Sequence, residues 1–334
     1  MKLVVTIDVE EEGLFQDRYE PKAVSVDNVR HLARLGGVVR HWGIRPTLLV
    51  THAVASHRPH HEVLLNLRDR WGAEIGAHLH HWNTPPLESL PHPDPVPSEL
   101  IPTRLLQEKM ESLFRALGDM GVEPSSFRMG RFNIGPRMLS VLEGTRIQVD
   151  SSICPTRKYY GGPDHLFAPE DPYFPDPADL RRAGSSRILE VPLTVLPLTR
   201  RLGRFLGRMD GRSLFPDAWI AWFSKNLGSF PAQPVWTGLN RLKIAAMIHR
   251  SRGGQVLTIF FHSSEIMAGG SPYHRTEEEV DRFLKRLDSF FAWLRQELSV
   301  ESLTLSELGR LYPNGAERSP ALEEARAARH RRAV

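Results

Sequence analysis

The chain has 334 residues, 41% of them hydrophobic and 25% charged, with a formal net charge of +4. That length suits two ordinary domains or one α/β barrel, and the apolar fraction can fill a sizeable core, which excludes a disordered or fibrous chain. The single cysteine, Cys154, excludes an internal disulfide framework and suits a reducing compartment.

Much of the positive excess falls in 313–334, where Arg326, Arg329, Arg331 and Arg332 read as a solvated, frayed tail. No aromatics or recognised module accompany it, so nucleic acid is not expected as a partner. The opening run is short and ends in carboxylates without a small-residue cleavage site, so no signal peptide is expected. No apolar run approaches the length of a membrane span, and the expected location is the cytoplasm.

Residues 3–7 form a continuous apolar, β-branched run, the pattern of a strand buried on both faces of a parallel sheet. Asp8, Glu10, Glu11 and Glu12 follow it. From Ser25 the spacing predicts a helix, capped by Ser25 or Asp27, with Val29, Leu32, Ala33 and Val39 inward and Gly43 at its end. A second strand is expected over 46–51, a helix over 60–71, and a third strand over 73–79. Prolines then recur from Pro85 to Pro102, a density that no regular element survives.

Helical spacing returns over 103–117, with Leu106, Met110, Leu113, Phe114 and Leu117 inward. Short strands are expected over 126–129 and 147–149, with a helix over 136–142 between them. Residues 155–186 read as irregular, and a strand is expected over 188–191. Within 196–250, residues 215–223 and 236–249 read as helices of a cap or insertion. An apolar strand over 256–261 ends at His262. Thr276 with Glu279 is a capping-box signature opening a long amphipathic helix, and a last strand is expected near 302–305.

Strands thus alternate with helices, which argues for a parallel sheet. Polar residues gather at the strands' C-terminal ends, the face that carries chemistry in an α/β barrel. An open doubly wound sheet would share that polarity, but no Gly-x-Gly-x-x-Gly follows the first strand. The expected architecture is therefore a distorted (β/α) barrel over 1–312, with an insertion at about 196–250.

Side chains alternate along a strand, so His78 and His80 share one face and form half of a metal site. Asp8 and Glu10, also two apart, supply candidates for the other half: one carboxylate as ligand, the other free as a base. His81 competes as a ligand if the strand breaks early. Arg128 reads as a partner for a carboxylate or a surface cation. His262 reads as a general acid at the mouth or a satisfied core group, with Glu265 adding polarity beside it. Asp150 either supports the site or caps a turn. Trp82, Tyr159, Tyr160 and Tyr173 either stack on sugar rings or pack in the core. No Gly-x-Ser-x-Gly marks a serine hydrolase.

The ordered motifs Thr6-Ile7-Asp8-Val9-Glu10, Glu74-Ile75-Gly76-Ala77-His78-Leu79-His80, Phe127-Arg128-Met129-Gly130, Val149-Asp150-Ser151-Ser152, Glu190-Val191-Pro192 and Phe261-His262-Ser263-Ser264-Glu265 resemble the polysaccharide deacetylase (NodB-homology) family, in a divergent His-x-His branch. The resemblance runs from about residue 2 to about residue 310, outside the 196–250 stretch. It implies a distorted barrel of seven or eight strands and a divalent metal, with zinc the common choice. It also implies a deacetylase acting on an N-acetyl or O-acetyl group of a sugar or polysaccharide precursor.

By the same resemblance Asp8 is the base, Glu10, His78 and His80 hold the metal, Arg128 holds the base, and His262 is the acid. Trp82, Asp150 and Glu265 are assigned to the substrate. The chain departs from the family in lacking Thr-Phe-Asp-Asp-Gly and in placing Trp82 where the second metal histidine normally stands. Two alternatives share these residues: a barrel that only binds a glycan or partner, and a metal hydrolase acting on a phosphate ester or cyclic amide.

Overall fold

The strand at the centre of the fold is β1 (Lys2–Val9), in which every residue from Leu3 to Val9 is buried. A computed structural model describes residues 1–22, 24–158, 163–197 and 229–312 of the chain. The remaining strands are β2 (Thr47–Thr51), β3 (Glu74–Leu79), β4 (Ser126–Met129), β5 (Val149–Asp150), β6 (Pro175–Asp176), β7 (Asp179–Ala183), β8 (Leu189–Glu190), β9 (Val195–Pro197), β10 (Ser229–Pro231), β11 (Val256–His262) and β12 (Glu301–Ser302). The α-helices are α1 (Gly36–His41), α2 (His52–Ala55), α3 (His61–Trp71), α4 (Thr103–Gly118), α5 (Pro136–Glu143), α6 (Leu239–Ser251), α7 (Glu277–Leu298) and α8 (Leu305–Gly309).

Seven parallel strands run in the order β11-β1-β2-β3-β4-β5-β8, and β12 pairs with the start of β1 as a short eighth. The curled sheet with its helices is a NodB-like (β/α) barrel. Its two end strands are linked by a bridge. Past β8, Thr194 donates its N–H to the Thr258 carbonyl at 3.0 Å and accepts the Thr258 N–H on Oγ1 at 2.8 Å. β8 and β11 themselves do not pair.

The parallel register decides what meets at the C-terminal end. Asp8 lies opposite His262 across β1 and β11, His78 opposite Arg128 across β3 and β4, and Asp150 opposite Glu190 across β5 and β8. A shift of one residue in any pair would send these side chains to the other face.

The helices pack on the outside. α7 opens with the expected capping box, in which Thr276 accepts the Glu279 N–H, and buries Val280, Phe283, Leu287, Phe290, Phe291 and Leu294. Phe283 meets Phe261 of β11 edge to face, ring centroids 5.5 Å apart. α4 buries Leu106, Met110, Leu113 and Leu117, with Phe114 half-buried. Among the described residues no helix is long and apolar enough to cross a membrane.

Three expectations are corrected. The helix expected from Ser25 begins as a tight 3-10 run, Asp27–Leu35, before α1. Its start is pinned to the end of β1, where Asn28 donates its side-chain amide to the Glu10 carbonyl and its N–H to Glu12 Oε1, both at 3.0 Å. The stretch 155–186 is not wholly irregular, since β6 and β7 form an antiparallel pair within it. The strand expected over 302–305 ends at Ser302, because the Thr304 hydroxyl accepts the Glu307 N–H and opens α8. The helix expected over 215–223, the tail and Tyr159 and Tyr160 lie outside the described residues.

Phe283→Ala should cost about 3–5 kcal/mol, because it empties the space behind β11. Lys285→Ala on the exposed side of α7 should stay within about 0.5 kcal/mol. Denaturant unfolding of both variants checks this; equal effects would mean α7 does not hold the barrel.

Candidate metal centre and active site

Three acidic side chains leave the end of β1 and are withdrawn from water: Asp8 is 2% exposed, Glu10 5% and Glu11 2%. Each meets a different partner. Arg128, fully buried at the end of β4, places Nη1 2.5 Å from Asp8 Oδ1. The same guanidinium donates from Nε to the Ser151 carbonyl at 2.7 Å and from Nη2 to Ser151 Oγ at 2.9 Å, and lies against the rings of Phe132 and Phe260. It is therefore fixed in position, and Asp8 with it.

Glu10 faces the histidines. Its Oε2 lies 3.4 Å from His78 Nε2 and 3.3 Å from His80 Nε2, and the two Nε2 atoms are 3.0 Å apart. β3 ends at Leu79, yet its alternation carries through to His80, so both imidazoles face the same point. His81 turns the other way into the proline-rich loop, its Nε2 2.9 Å from Val96 N and from Asp94 Oδ1.

The other ring nitrogens are engaged. His78 Nδ1 donates to the Arg128 carbonyl at 2.9 Å, and His80 Nδ1 donates to Glu11 Oε1 at 2.8 Å. Donation from Nδ1 leaves Nε2 as the lone-pair nitrogen, the arrangement that metal-ligating histidines show. Trp82 braces this corner: its indole stacks on His80 at 4.2 Å and donates to Glu11 Oε1 at 3.0 Å. Trp82 thus orients His80 from behind. Gly130 completes the fit. A Cβ there would lie 2.6 Å from His80 Cδ2 and 2.7 Å from the Leu79 carbonyl, so only glycine lets β4 approach this closely.

Two imidazole lone pairs and a carboxylate oxygen aimed at one point repel one another unless a positive charge sits among them. The electrostatics show the same demand. Burial would push the Glu10 carboxyl up, but His262, His78 and His80 hold it well below the usual carboxylate range. Burial would lower His80, but Glu11 and Glu10 raise it to about 9. The pull that keeps a proton on His80 is the pull a cation would feel. Glu10, His78 and His80 can together hold a metal ion, and one carboxylate with two imidazoles suits a divalent one.

His262 closes the group from β11, with Nε2 3.9 Å from Asp8 Oδ2 and 3.8 Å from Glu10 Oε1. Its Nδ1 lies 3.2 Å from Glu265 Oε2, which also accepts the His262 backbone N–H at 2.7 Å. Burial would lower this imidazole, but Glu10, Glu265 and Asp8 raise it to about 9. Asp8, Glu10, His78 and His262 line a cavity of about 540 Å³, with Phe15, Arg131, Phe132, Trp236 and Tyr273 among its other walls.

The structure therefore brings together Asp8, Glu10, His78, His80, Arg128 and His262. It does not bring Trp82, Asp150 or Glu265 to the cavity wall, where a substrate would meet them. Trp82 is buried behind His80, Glu265 is buried beneath His262, and Asp150 is buried against Glu190. Tyr173 is also buried, its hydroxyl donating to the Leu180 carbonyl.

Asp150 and Glu190 form a second buried unit behind Arg128. Both carboxyls are 1% exposed and directly opposed across β5 and β8. Burial raises Asp150, and burial together with Asp150 raises Glu190 well above the carboxylate range. Two facing carboxyls cannot both ionise there, so the pair retains a proton. Ser152 Oγ donates to Asp150 Oδ1 at 2.5 Å and accepts the Met129 N–H at 2.8 Å, while Ile153 N–H donates to Glu190 Oε1 at 2.9 Å. The pair thereby holds the 151–153 turn that carries the acceptors for Arg128.

No family model matches the sequence, and no curated protein matches it. Solved structures do match. A candidate polysaccharide deacetylase from Mycobacterium smegmatis is similar over 92% of this chain and 88% of its own, at 17% identity and a TM-score of 0.52. A 4-alpha-glucanotransferase from Thermococcus litoralis matches 92% of this chain with 40% of its own, at 12% identity and a TM-score of 0.50. A family 4 carbohydrate esterase from Streptomyces lividans matches 90% of this chain and 91% of its own, at 11% identity and a TM-score of 0.42. The likeness to the Mycobacterium smegmatis structure shows the fold, a NodB-like (β/α) barrel.

Sequence reading missed Glu11, Glu190 as a partner of Asp150, and the cavity residues Arg131, Trp236 and Tyr273. Glu11 stands in a run of three acids that spacing alone does not separate. Trp236 and Tyr273 sit in loops, where no periodicity marks a facing direction.

Glu11→Gln should weaken metal binding about 10- to 100-fold by loosening His80, as read by competition with a chromogenic chelator. Glu190 has a raised folded pKa, so its contribution is full below the unfolded value of 4.5 and declines as pH rises through the folded one. Glu190→Gln should therefore gain thermal stability relative to the parent between pH 5 and pH 8. A gain in the opposite direction would mean the pair is ionised.

Proposed function

We propose that this protein is a metal-dependent deacetylase, using zinc, that hydrolyses an N-acetyl or O-acetyl group on a sugar or polysaccharide precursor. One observation supports this above the rest: the Arg128-bound Asp8, Glu10, His78 and His262 share the floor of one cavity at the barrel's C-terminal end, with His80 buried directly behind Glu10 and His78 as the third donor. The likeness in fold to the Mycobacterium smegmatis protein points the same way.

A divalent ion held by Glu10, His78 and His80 would polarise the acyl oxygen and acidify a water molecule there. The chain's own residues supply the proton transfers. Arg128 occupies Asp8 Oδ1 and leaves Oδ2 facing the cavity, where it accepts the proton of the attacking water. His262 Nε2 faces the same space and gives a proton to the departing amine or alkoxide. Glu265 at Nδ1 keeps that ring turned toward the substrate. Arg128 acts through Asp8 and makes no contact with the substrate. Asp8, Glu10 and His78 are buried at the floor, which strengthens each of these interactions.

Zinc-loaded protein should release acetate from acetylated sugars and leave phosphate esters intact. Asp8→Asn should lower kcat about 10²- to 10⁴-fold while retaining one equivalent of metal. Full activity in Asp8→Asn would remove Asp8 from the mechanism. Metal retention with no turnover of any acetylated sugar would favour a binding barrel.

A further inference from the structure

Beyond the chemistry at its floor, the cavity has two unlike walls. On the His262 side, Phe15 lies 5.3 Å from the imidazole and 6.0 Å from Tyr273, and Tyr273 lies 5.8 Å from Trp236. Trp236 is 48% exposed and Tyr273 45%, which leaves an apolar face suited to a sugar ring beside the proposed proton donor. On the β4 side stands Arg131. It and Phe132 are consecutive non-glycine residues in the left-handed region, with φ of 57° and 59°. Such residues are uncommon and gather at ligand sites, where the surroundings hold them in place.

The position of Arg131 is tied to the metal centre. It follows Gly130, whose backbone is packed on His80. Its guanidinium lies 6.0 Å over the Tyr19 ring, Tyr19 lies 5.0 Å from Trp82, and Trp82 stacks on His80. A cation–π contact at that distance leaves the N–H groups of the guanidinium for a planar or tetrahedral anion. Among the described residues Arg131 makes no ion pair or hydrogen bond through its side chain. Asp17 lines the cavity on this side, and its Oδ1 is met by the Tyr19 hydroxyl at 3.3 Å. Arg157, 5.4 Å over Phe132, adds a second positive charge to the wall.

We propose that the substrate is a small acetylated amino sugar carrying an anionic group, a phosphate ester or a carboxylate, and that Arg131 receives that group. This rests on the deacetylase reading and narrows it. A cavity of about 540 Å³ is of the size that takes a single small ligand. The aromatic wall takes the ring, the floor takes the acetyl group, and Arg131 fixes the charged end.

The test compares zinc-loaded protein on N-acetylglucosamine, its 1-phosphate and 6-phosphate, N-acetylglucosaminuronic acid and neutral chitotetraose. At least one anionic sugar should exceed N-acetylglucosamine about tenfold or more in kcat/KM, with the advantage shrinking as salt is raised. The phosphate and carboxylate arms then separate the two sources of charge. Arg131→Met should lower kcat/KM for the preferred anionic sugar about 10- to 100-fold, chiefly through KM, and for the neutral sugar less than threefold; Arg131→Lys should recover part of the loss. Equal rates on neutral and charged sugars, or indifference to Arg131→Met, would overturn the proposal and leave the deacetylase reading standing. If no acetylated sugar is hydrolysed, that reading fails instead. Calorimetry then decides the anion subsite: tighter binding of the charged sugar that Arg131→Met abolishes upholds it, and equal binding overturns it.

Discussion

Burying three carboxylates at the end of one strand is the constraint on which this site depends. Asp8, Glu10 and Glu11 lie within four residues and none is more than 5% exposed. A carboxylate taken out of water is strongly destabilising unless it is paired and hydrogen-bonded. Among the described residues the one permanent cation in contact with the trio is Arg128, and it is taken by Asp8. Glu10 and Glu11 are left to imidazoles, which supply positive charge only when they hold a proton or share a metal ion. The same electrostatic demand that threatens stability therefore prepares a cation site. Its companion, the Asp150–Glu190 pair, resolves the problem differently, by retaining a proton.

The fold meets this demand through register. Parallel pairing sets Asp8 opposite His262 and His78 opposite Arg128, so charges far apart in sequence become neighbours without long side-chain excursions. Residues behind the cavity then fix each group. Glu11 and Trp82 orient His80, the Arg128 carbonyl orients His78, Glu265 orients His262, and the 151–153 turn orients Arg128. Pre-positioned groups of this kind stabilise developing charge without reorganising during the reaction.

Much of this was legible in the sequence where a local period carries the information. Alternation of His78 and His80 survives the end of β3, and the apolar runs 3–7 and 256–261 announce the strands that deliver Asp8 and His262. Residues whose role depends on contacts across the barrel were not legible. Trp82, Asp150 and Glu265 stand beside functional positions in sequence, yet each turns behind the site because a buried partner claims it: Glu11, Glu190 and His262. Arg131 was hidden for a different reason, since its placement follows from a left-handed backbone that the Gly-Arg-Phe sequence does not declare. The 302–305 segment shows the same limit, a strand-like run cut short by the Thr304 cap.

The central claim is that one cation completes the balance among Glu10, His78 and His80. Crystals of zinc-saturated protein, measured on both sides of the zinc absorption edge, test it most directly. The account predicts a single anomalous peak at about 2.0–2.2 Å from a Glu10 carboxylate oxygen and from Nε2 of both histidines. Saturated crystals with no peak at these three side chains, or with zinc held elsewhere in the barrel, would contradict it.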